Sequence, residues 1–251
     1  DSLVDYAIRF DGNRPKFAYP PEVLDPSLAD VIGHTDIVVG GPPCQGHSNF
    51  NNHTRGNDPR NALYFTVPAI GIALDSSVII IENVQSVARS RGRLVETTTA
   101  ILESHGYVVD QKVLEADKFG VSQTRKRYFL FATKRGAAVR LDELSLAVSA
   151  PELTAIDAIG DIQDIRPETV FDKCATLSDE NRRRVDYLFD NDEYDLPNAE
   201  RPDCHKDGHT YPSVYGRMYP DKAAQTITGG FLSPGRGRLT HQTKRRGLPP
   251  H

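Results

Sequence analysis

The stretch "DIVVGGPPCQGHSNF", residues 36–50, leaves a strand in an unusual way. Asp36-Ile37-Val38-Val39 reads as a short buried strand, because β-branched residues suit a pleated, packed surface. Two glycines, two prolines and a cysteine follow. Pro42 and Pro43 fix their own φ and stiffen the backbone just before the thiol of Cys44. In an open parallel sheet, ligands gather at the carboxyl ends of strands. Cys44 therefore stands where a nucleophile would stand. A lone cysteine is also a common small core residue, and from this stretch alone both readings stay open.

Outward from this stretch, strand-like and helix-like segments alternate. Asn61 to Ala73 reads as helical, with Pro68 as a kink or interruption. Ser77-Val78-Ile79-Ile80-Ile81 is a β-branched run typical of a fully buried strand, and it ends in Glu82-Asn83. Leu94 to Ser104 has helical spacing and stops at His105-Gly106. Tyr107 to Leu114 and Tyr128 to Thr133 are further strands; with no long helix between them, antiparallel pairing at one edge is expected. The alternation implies an α/β fold with a mostly parallel sheet. Beyond Gly136 the pattern weakens. Leu153 to Ile162 and Leu177 to Phe189 are helix candidates, the second capped by Ser178. The rest, rich in Gly, Pro, Asp and Thr, reads as loops.

The chain has 251 residues and a formal net charge of -4. No run of about 18 apolar residues is present, so no membrane-spanning helix is expected, and no signal peptide is visible. Cys44, Cys174 and Cys204 are scattered and odd in number, which argues against a disulfide framework and for a reducing compartment. Cys204-His205 with His209 lacks a second ligand pair, so no metal site is expected. Charge is unevenly placed. Arg217 to Arg246 holds seven basic residues against the single acid Asp221, whereas Asp179 to Asp203 is acid-rich. A phosphate-binding face and two solvated surfaces are both compatible with that contrast.

A third functional stretch, Gln123-Thr124-Arg125-Lys126-Arg127, precedes the last strand. Taken together, "GPPCQGHS", "IIIENV" and "QTRKRYFLFA" resemble the core motifs of the DNA (cytosine-5)-methyltransferases. "YGRMYPDKAAQTITGGFLSPGRGRLTH" extends the likeness, from about Asp36 to the end of the chain. The resemblance implies a partial, Rossmann-like class I methyltransferase sheet with a small loop-rich target recognition region. It implies transfer of a methyl group from S-adenosylmethionine to carbon 5 of cytosine in double-stranded DNA. The target base is flipped out of the duplex. Cys44 matches the nucleophile that adds to carbon 6. Glu82 matches the acid at ring nitrogen 3, with Asn83 as its support. Arg127 matches the arginine that meets the base carbonyl, and Arg125 a neighbour that orders the catalytic loop or holds phosphate.

By the same resemblance, Gln45, Ser48 and Arg55 face DNA from the loop after the cysteine. Thr226, Gly229, Gly230, Arg236 and Arg238 are expected in the recognition segment, where glycines let backbone approach the groove. Pro43 and Leu63 are expected beside the cofactor. The family's glycine-rich Phe-x-Gly-x-Gly loop is not found, and Asp25 or Asp30 are the candidates for the acid expected before the Pro-Cys-Gln strand. The reading is thus the middle of a methyltransferase: a partial catalytic domain over residues 1–135, a recognition region over 136–241, and over 242–251 the start of a severed motif. A monomer in a restriction-modification context is expected, cytoplasmic with the bacterial nucleoid, or nuclear in a eukaryote. The alternative is a non-catalytic DNA-binding remnant without a cofactor site; an unrelated thiol enzyme pairing Cys44 with His47 would leave Glu82 and Arg127 unexplained.

Overall fold

A computed structural model of the chain describes residues 4–12, 14–43, 59–90, 93–136, 138–207 and 213–250. They fall into two compact units. One is Asp1–Leu114 with Lys126–Val148; the other is Glu115–Arg125 with Ser149–His251. The boundary therefore differs from a single cut near Arg135. A short helix at Leu141–Ala147 stays with the first unit, where the Leu141 amide donates to Asp110 Oδ2 at 2.8 Å. Residues 115–125 leave for the second unit, where the Ala150 amide donates to the Lys118 carbonyl at 3.0 Å.

The first unit opens with four short strands, β1 (Val4–Asp5), β2 (Ile8–Asp11), β3 (Arg14–Phe17) and β4 (Glu22–Val23). They pair as β1 with β4 and β2 with β3, both antiparallel. The sequence reading assigned none of them, because strands of two to four mixed-polarity residues show no usable alternation. The main sheet follows: β5 (Ile37–Gly40), β6 (Val78–Val84), β7 (Val108–Glu115) and, past a two-residue strand β8 (Gln123–Thr124), β9 (Lys126–Thr133). The strand order is β5-β6-β9-β7. β5 runs parallel to β6, and β9 runs antiparallel to it.

Two helices, α1 (Thr66–Ala73) and α2 (Leu94–Ser104), pack with this sheet. Pro68 is the third residue of α1 and so starts the helix instead of kinking it, since the first turn needs no amide donor there; residues Pro59–Phe65 before it form 3-10 turns. Period-two alternation sets the two sheet faces. Ile79 and Ile81 of β6, with Tyr128, Leu130 and Ala132 of β9, are buried in a core with Leu102, Val87 and Phe65. Gly40 is needed where α1 meets β5: a Cβ there would lie 2.4 Å from Val67 Cγ2. On the other face Ile37 is 56% exposed and Val39 69% exposed. The expected mostly parallel sheet with fully buried strands is thus corrected: the sheet is mixed, and one face of β5 is exposed.

The second unit holds α4 (Ala155–Ile159), α5 (Asp179–Asp190) and β10 (Ala224–Gln225), with α3 being the Leu141–Ala147 helix of the first unit. α5 starts as expected at Ser178, whose side chain accepts the Asn181 amide at 3.3 Å. Ala155, Met218, Leu239 and Leu248 form a small core. Near the chain's end, His241 is 1% exposed. Its Nδ1 accepts the amides of Thr243 at 3.1 Å and Lys244 at 3.2 Å. Burial first, then the positive charges of Arg246 and Lys244, push its pKa from 6.5 down to about 4.

That shift fixes a pH dependence. Between about 6.5 and about 4 the unfolded chain takes up a proton at His241 that the folded chain refuses. Stability from this group is therefore complete above pH 6.5 and declines as pH falls toward 4. His241→Asn, which keeps an acceptor for the two amides but cannot titrate, should show a smaller drop in melting temperature between pH 7 and pH 4.5 than the native chain, read by circular dichroism.

Candidate active site

The register of β6 against β9 builds the site. Glu82 lies opposite Phe129, and Val84 opposite Arg127. Glu82 and Arg127 are therefore diagonal neighbours on one face, within reach of two long side chains. Arg127 Nε meets Glu82 Oε1 at 2.9 Å, with the side chains 22% and 36% exposed. Arg127 Nη1 also donates to the Lys126 carbonyl at 2.8 Å. Both groups are held, and both still face solvent.

Asn83 points the other way and is buried. Its Nδ2 donates to the Pro42 carbonyl at 3.1 Å, and its Oδ1 accepts the Val84 amide at 2.8 Å. One side chain thus ties the end of β6 to the loop leaving β5. Gly41 completes the approach: a Cβ on it would lie 3.5 Å from Glu82 Oε2. The stiff Gly41-Pro42-Pro43 segment consequently passes the carboxylate directly. Pro42 is buried and Pro43 exposed. Cys44, Gln45, Ser48 and Arg55 lie outside the described residues. Leu63 is 43% exposed. Asp25 caps the 3-10 helix Pro26–Val31, its Oδ1 accepting the Ser27 amide at 2.8 Å, and hydrogen bonding with the Ser27 side chain first, then with this amide, holds its carboxyl below the usual range. Asp30 lies exposed within the same helix.

In the second unit, Arg125 is anchored through its backbone. Its carbonyl accepts the Ala116 amide at 2.9 Å and its amide donates to the Gln123 carbonyl at 2.8 Å. Thr226 follows β10, and its hydroxyl donates to the Thr124 carbonyl at 3.2 Å. Gly229, Gly230 and Arg236 are exposed together. Gly230 has φ +80°, a left-handed conformation glycine adopts without strain, and the space beside it is taken by Arg236 Nε, 3.5 Å from where a Cβ would sit.

Family models decide what this arrangement belongs to. The model for C-5 cytosine-specific DNA methylase matches residues 24–244. The chain belongs to that family. It is 41% identical over 233 residues to the Type II methyltransferase M1.BsuMI of Bacillus subtilis strain 168, covering 92% of this chain and 54% of that protein. It is 30% identical over 223 residues to the Type II methylase M.HgiDII of Herpetosiphon aurantiacus, covering 84% and 62%. The chain thus spans between half and two thirds of the length of these relatives. Among solved structures, a prophage-encoded E. coli protein described as a DNA modification methyltransferase matches with a TM-score of 0.51 at 16% identity, over 85% of this chain and 65% of that one. That likeness supports the α/β methyltransferase fold.

Arg238 departs from the sequence expectation. It is 7% exposed. Its Nη1 donates to the carbonyls of Tyr194 at 2.6 Å and Arg217 at 3.0 Å, its Nη2 pairs with Asp195, and its guanidinium lies 4.4 Å from the Tyr219 ring centre. A guanidinium so surrounded organises the unit and is not presented to a groove. Other cations of the basic segment are also ion-paired, Arg217 nearly buried and Lys244 and Arg245 more exposed. Arg217 pairs with Asp192 at 3.2 Å, Lys244 with Asp164 at 2.5 Å, and Arg245 with Asp190 at 2.6 Å. The acid-rich and basic stretches largely neutralise each other. Arg236 and Lys222 are exposed, and the described contacts of neither include an ion pair. The signal in the sequence was the aromatic interleaving of the acidic stretch, Phe189, Tyr194 and, further on, Tyr219, which supplies faces for arginines.

The two arginines should separate cleanly by substitution. Arg238→Ala should lower urea-measured stability by about 3 kcal/mol or more, because it strands two carbonyls and unpairs a carboxylate. Arg236→Ala should leave stability within about 0.5 kcal/mol. It should weaken DNA binding, by about 1–3 kcal/mol at one base position if it reads a base, or uniformly with a shallower salt slope if it holds phosphate.

Proposed function

We propose that this chain carries the base-binding and recognition parts of a DNA (cytosine-5)-methyltransferase, acting on cytosine in double-stranded DNA as part of a Type II modification system. The observation that carries this reading is the Glu82–Arg127 pair at 2.9 Å beside the Gly41-Pro42-Pro43 segment that leads into Cys44. Carbon 5 of cytosine is a weak nucleophile. Addition of the Cys44 thiolate to carbon 6 raises electron density at carbon 5, and loss of the carbon 5 proton later expels the thiolate. Glu82 holds ring nitrogen 3 and, when protonated, donates to it as charge builds during addition. Arg127 meets the base carbonyl and keeps Glu82 aligned. Asn83 fixes the Pro42 carbonyl and so holds the chain at the residue pair that precedes Cys44. The base reaches this site only when flipped out of the duplex.

S-adenosylmethionine, the methyl donor used by this family, supplies the methyl group when bound. Pro43 and Leu63 offer it exposed apolar contact. Segment 226–230 with Arg236 is proposed to read DNA, as are Gln45, Ser48 and Arg55. Arg125 is proposed to hold phosphate. The residues of the second unit are the proposed target recognition region.

The test uses the full-length protein and a duplex bearing 5-fluorocytosine at the target, with the methyl donor present. A denaturing gel should show a covalent complex with native protein and none with Cys44→Ser. Glu82→Gln should bind the duplex normally and form the complex about 100-fold more slowly, the scale of losing an acid catalyst. Duplex binding without any covalent complex in the native protein would favour the non-catalytic remnant.

A further inference from the structure

Thr124 sits inside the Gln-Thr-Arg-Lys-Arg stretch, between residues whose roles the family reading supplies, and nothing assigns it one. In the second unit it belongs to β8, which pairs with β10 in parallel, Gln123 against Ala224 and Thr124 against Gln225. Parallel pairing over two residues is a weak ladder by itself. Here it is reinforced by two side chains that cross in opposite directions. The Thr124 hydroxyl donates to the Ala224 carbonyl at 3.2 Å, and the Thr226 hydroxyl donates to the Thr124 carbonyl at 3.2 Å. The Ala224 amide adds a bond to the Ser122 carbonyl at 2.9 Å. These contacts join points 100 and 102 residues apart. Each end of the clasp abuts a proposed functional element. Arg125 follows Thr124 directly, and its backbone is fixed on both sides by Ala116 and Gln123. Thr226 opens the segment that runs to Gly229, Gly230 and Arg236.

We propose that Thr124 is a positioning residue: with Thr226 it clasps the DNA-reading segment to the loop that carries Arg125, so that the two move as one element. The clasp rests on the reading of segment 226–230 as a DNA contact. Its physical logic is that sequence discrimination requires the reading backbone to keep its place when a mismatched pair resists it. A two-residue ladder without side-chain bonds would slip or open. Threonine suits the task twice over, because its β-branch stiffens χ1 and its hydroxyl supplies the donor.

The experiment compares Thr124→Val, Thr226→Val, the double variant and Thr124→Ser in the full-length protein. Valine keeps shape and β-branching and removes the donor; serine restores it. Hydrogen exchange at the Ala224 amide should quicken about ten-fold in each valine variant, with an unchanged melting temperature. In Thr124→Val, single-turnover methylation should lose about ten-fold in discrimination between the target duplex and one altered by a single base pair, while binding to unrelated DNA holds. Serine should restore both readouts, and the double variant should be little worse than either single one, since one clasp is broken once. Native exchange in the valine variants would overturn the clasp. Faster exchange with full discrimination would overturn its role in reading. A fall in melting temperature that serine does not rescue would make Thr124 merely structural. If the native protein transfers no methyl group, the functional reading fails, and the exchange data alone decide whether the clasp exists.

Discussion

The antiparallel pairing of β6 with β9 is the constraint on which the first unit depends. It runs through seven residue pairs, from Val78 with Thr133 to Val84 with Arg127. Because side chains alternate, this one register assigns every residue of both strands to a face. Ile79, Ile81, Leu130 and Ala132 go to the core; Glu82 and Arg127 go to the open face and meet. A slip of β6 by one residue would bury the carboxylate and expose Ile79 and Ile81, and a slip of β9 would bury the guanidinium. The hydrophobic cost of that slip is what protects the site geometry. Glu82 needs no dedicated machinery to be held at the sheet's edge, since the core beneath it forbids any other placement.

The same alternation explains why Asn83 and not Glu82 holds the cysteine loop. Adjacent residues on a strand face opposite ways. The carboxylate is delivered to the open side, and the amide is delivered to the buried side, where it meets the Pro42 carbonyl. A buried carbonyl left without a donor costs about 1–3 kcal/mol, so the pairing ties loop position to fold stability. The loop's prolines then carry that fixed position forward toward residue 44.

The second unit is organised by a different force. Its apolar core is small, and α5 is the one long helix among its described residues. Arginines fill the gap: Arg184, Arg217 and Arg238 are nearly buried and are laid against Tyr215, Phe189, Tyr194 and Tyr219. Each also reaches a carboxylate, Glu180, Asp192 or Asp195. Desolvating a guanidinium is costly unless its donors are met, so these residues specify one arrangement of loops that have little regular secondary structure of their own. A loop-rich unit can in this way be rigid without a large sheet.

Much of this was legible in the residues themselves. The strands around Ile37 and Ile79, the helix from Leu94 to Ser104 and the Ser178 cap are local features, set by β-branching, helical spacing and side-chain capping. The motifs ending in Cys44, Glu82 and Arg127 named the chemistry, because residue types and order suffice for that. The N-terminal strands were not legible, being too short to show a period. Nor was the fate of the arginines. A guanidinium's role depends on which carboxylates and rings fold against it, and for Arg217 and Arg238 those lie 19 or more residues away in the chain. Sequence by itself determined that a thiol, an acid and arginines share one family of chemistry. Tertiary structure decided that Arg127 faces Glu82 on the open side of the sheet while Arg238 is sealed among Tyr194, Asp195 and Tyr219, because only packing at a distance chooses between pairing a charge and presenting it.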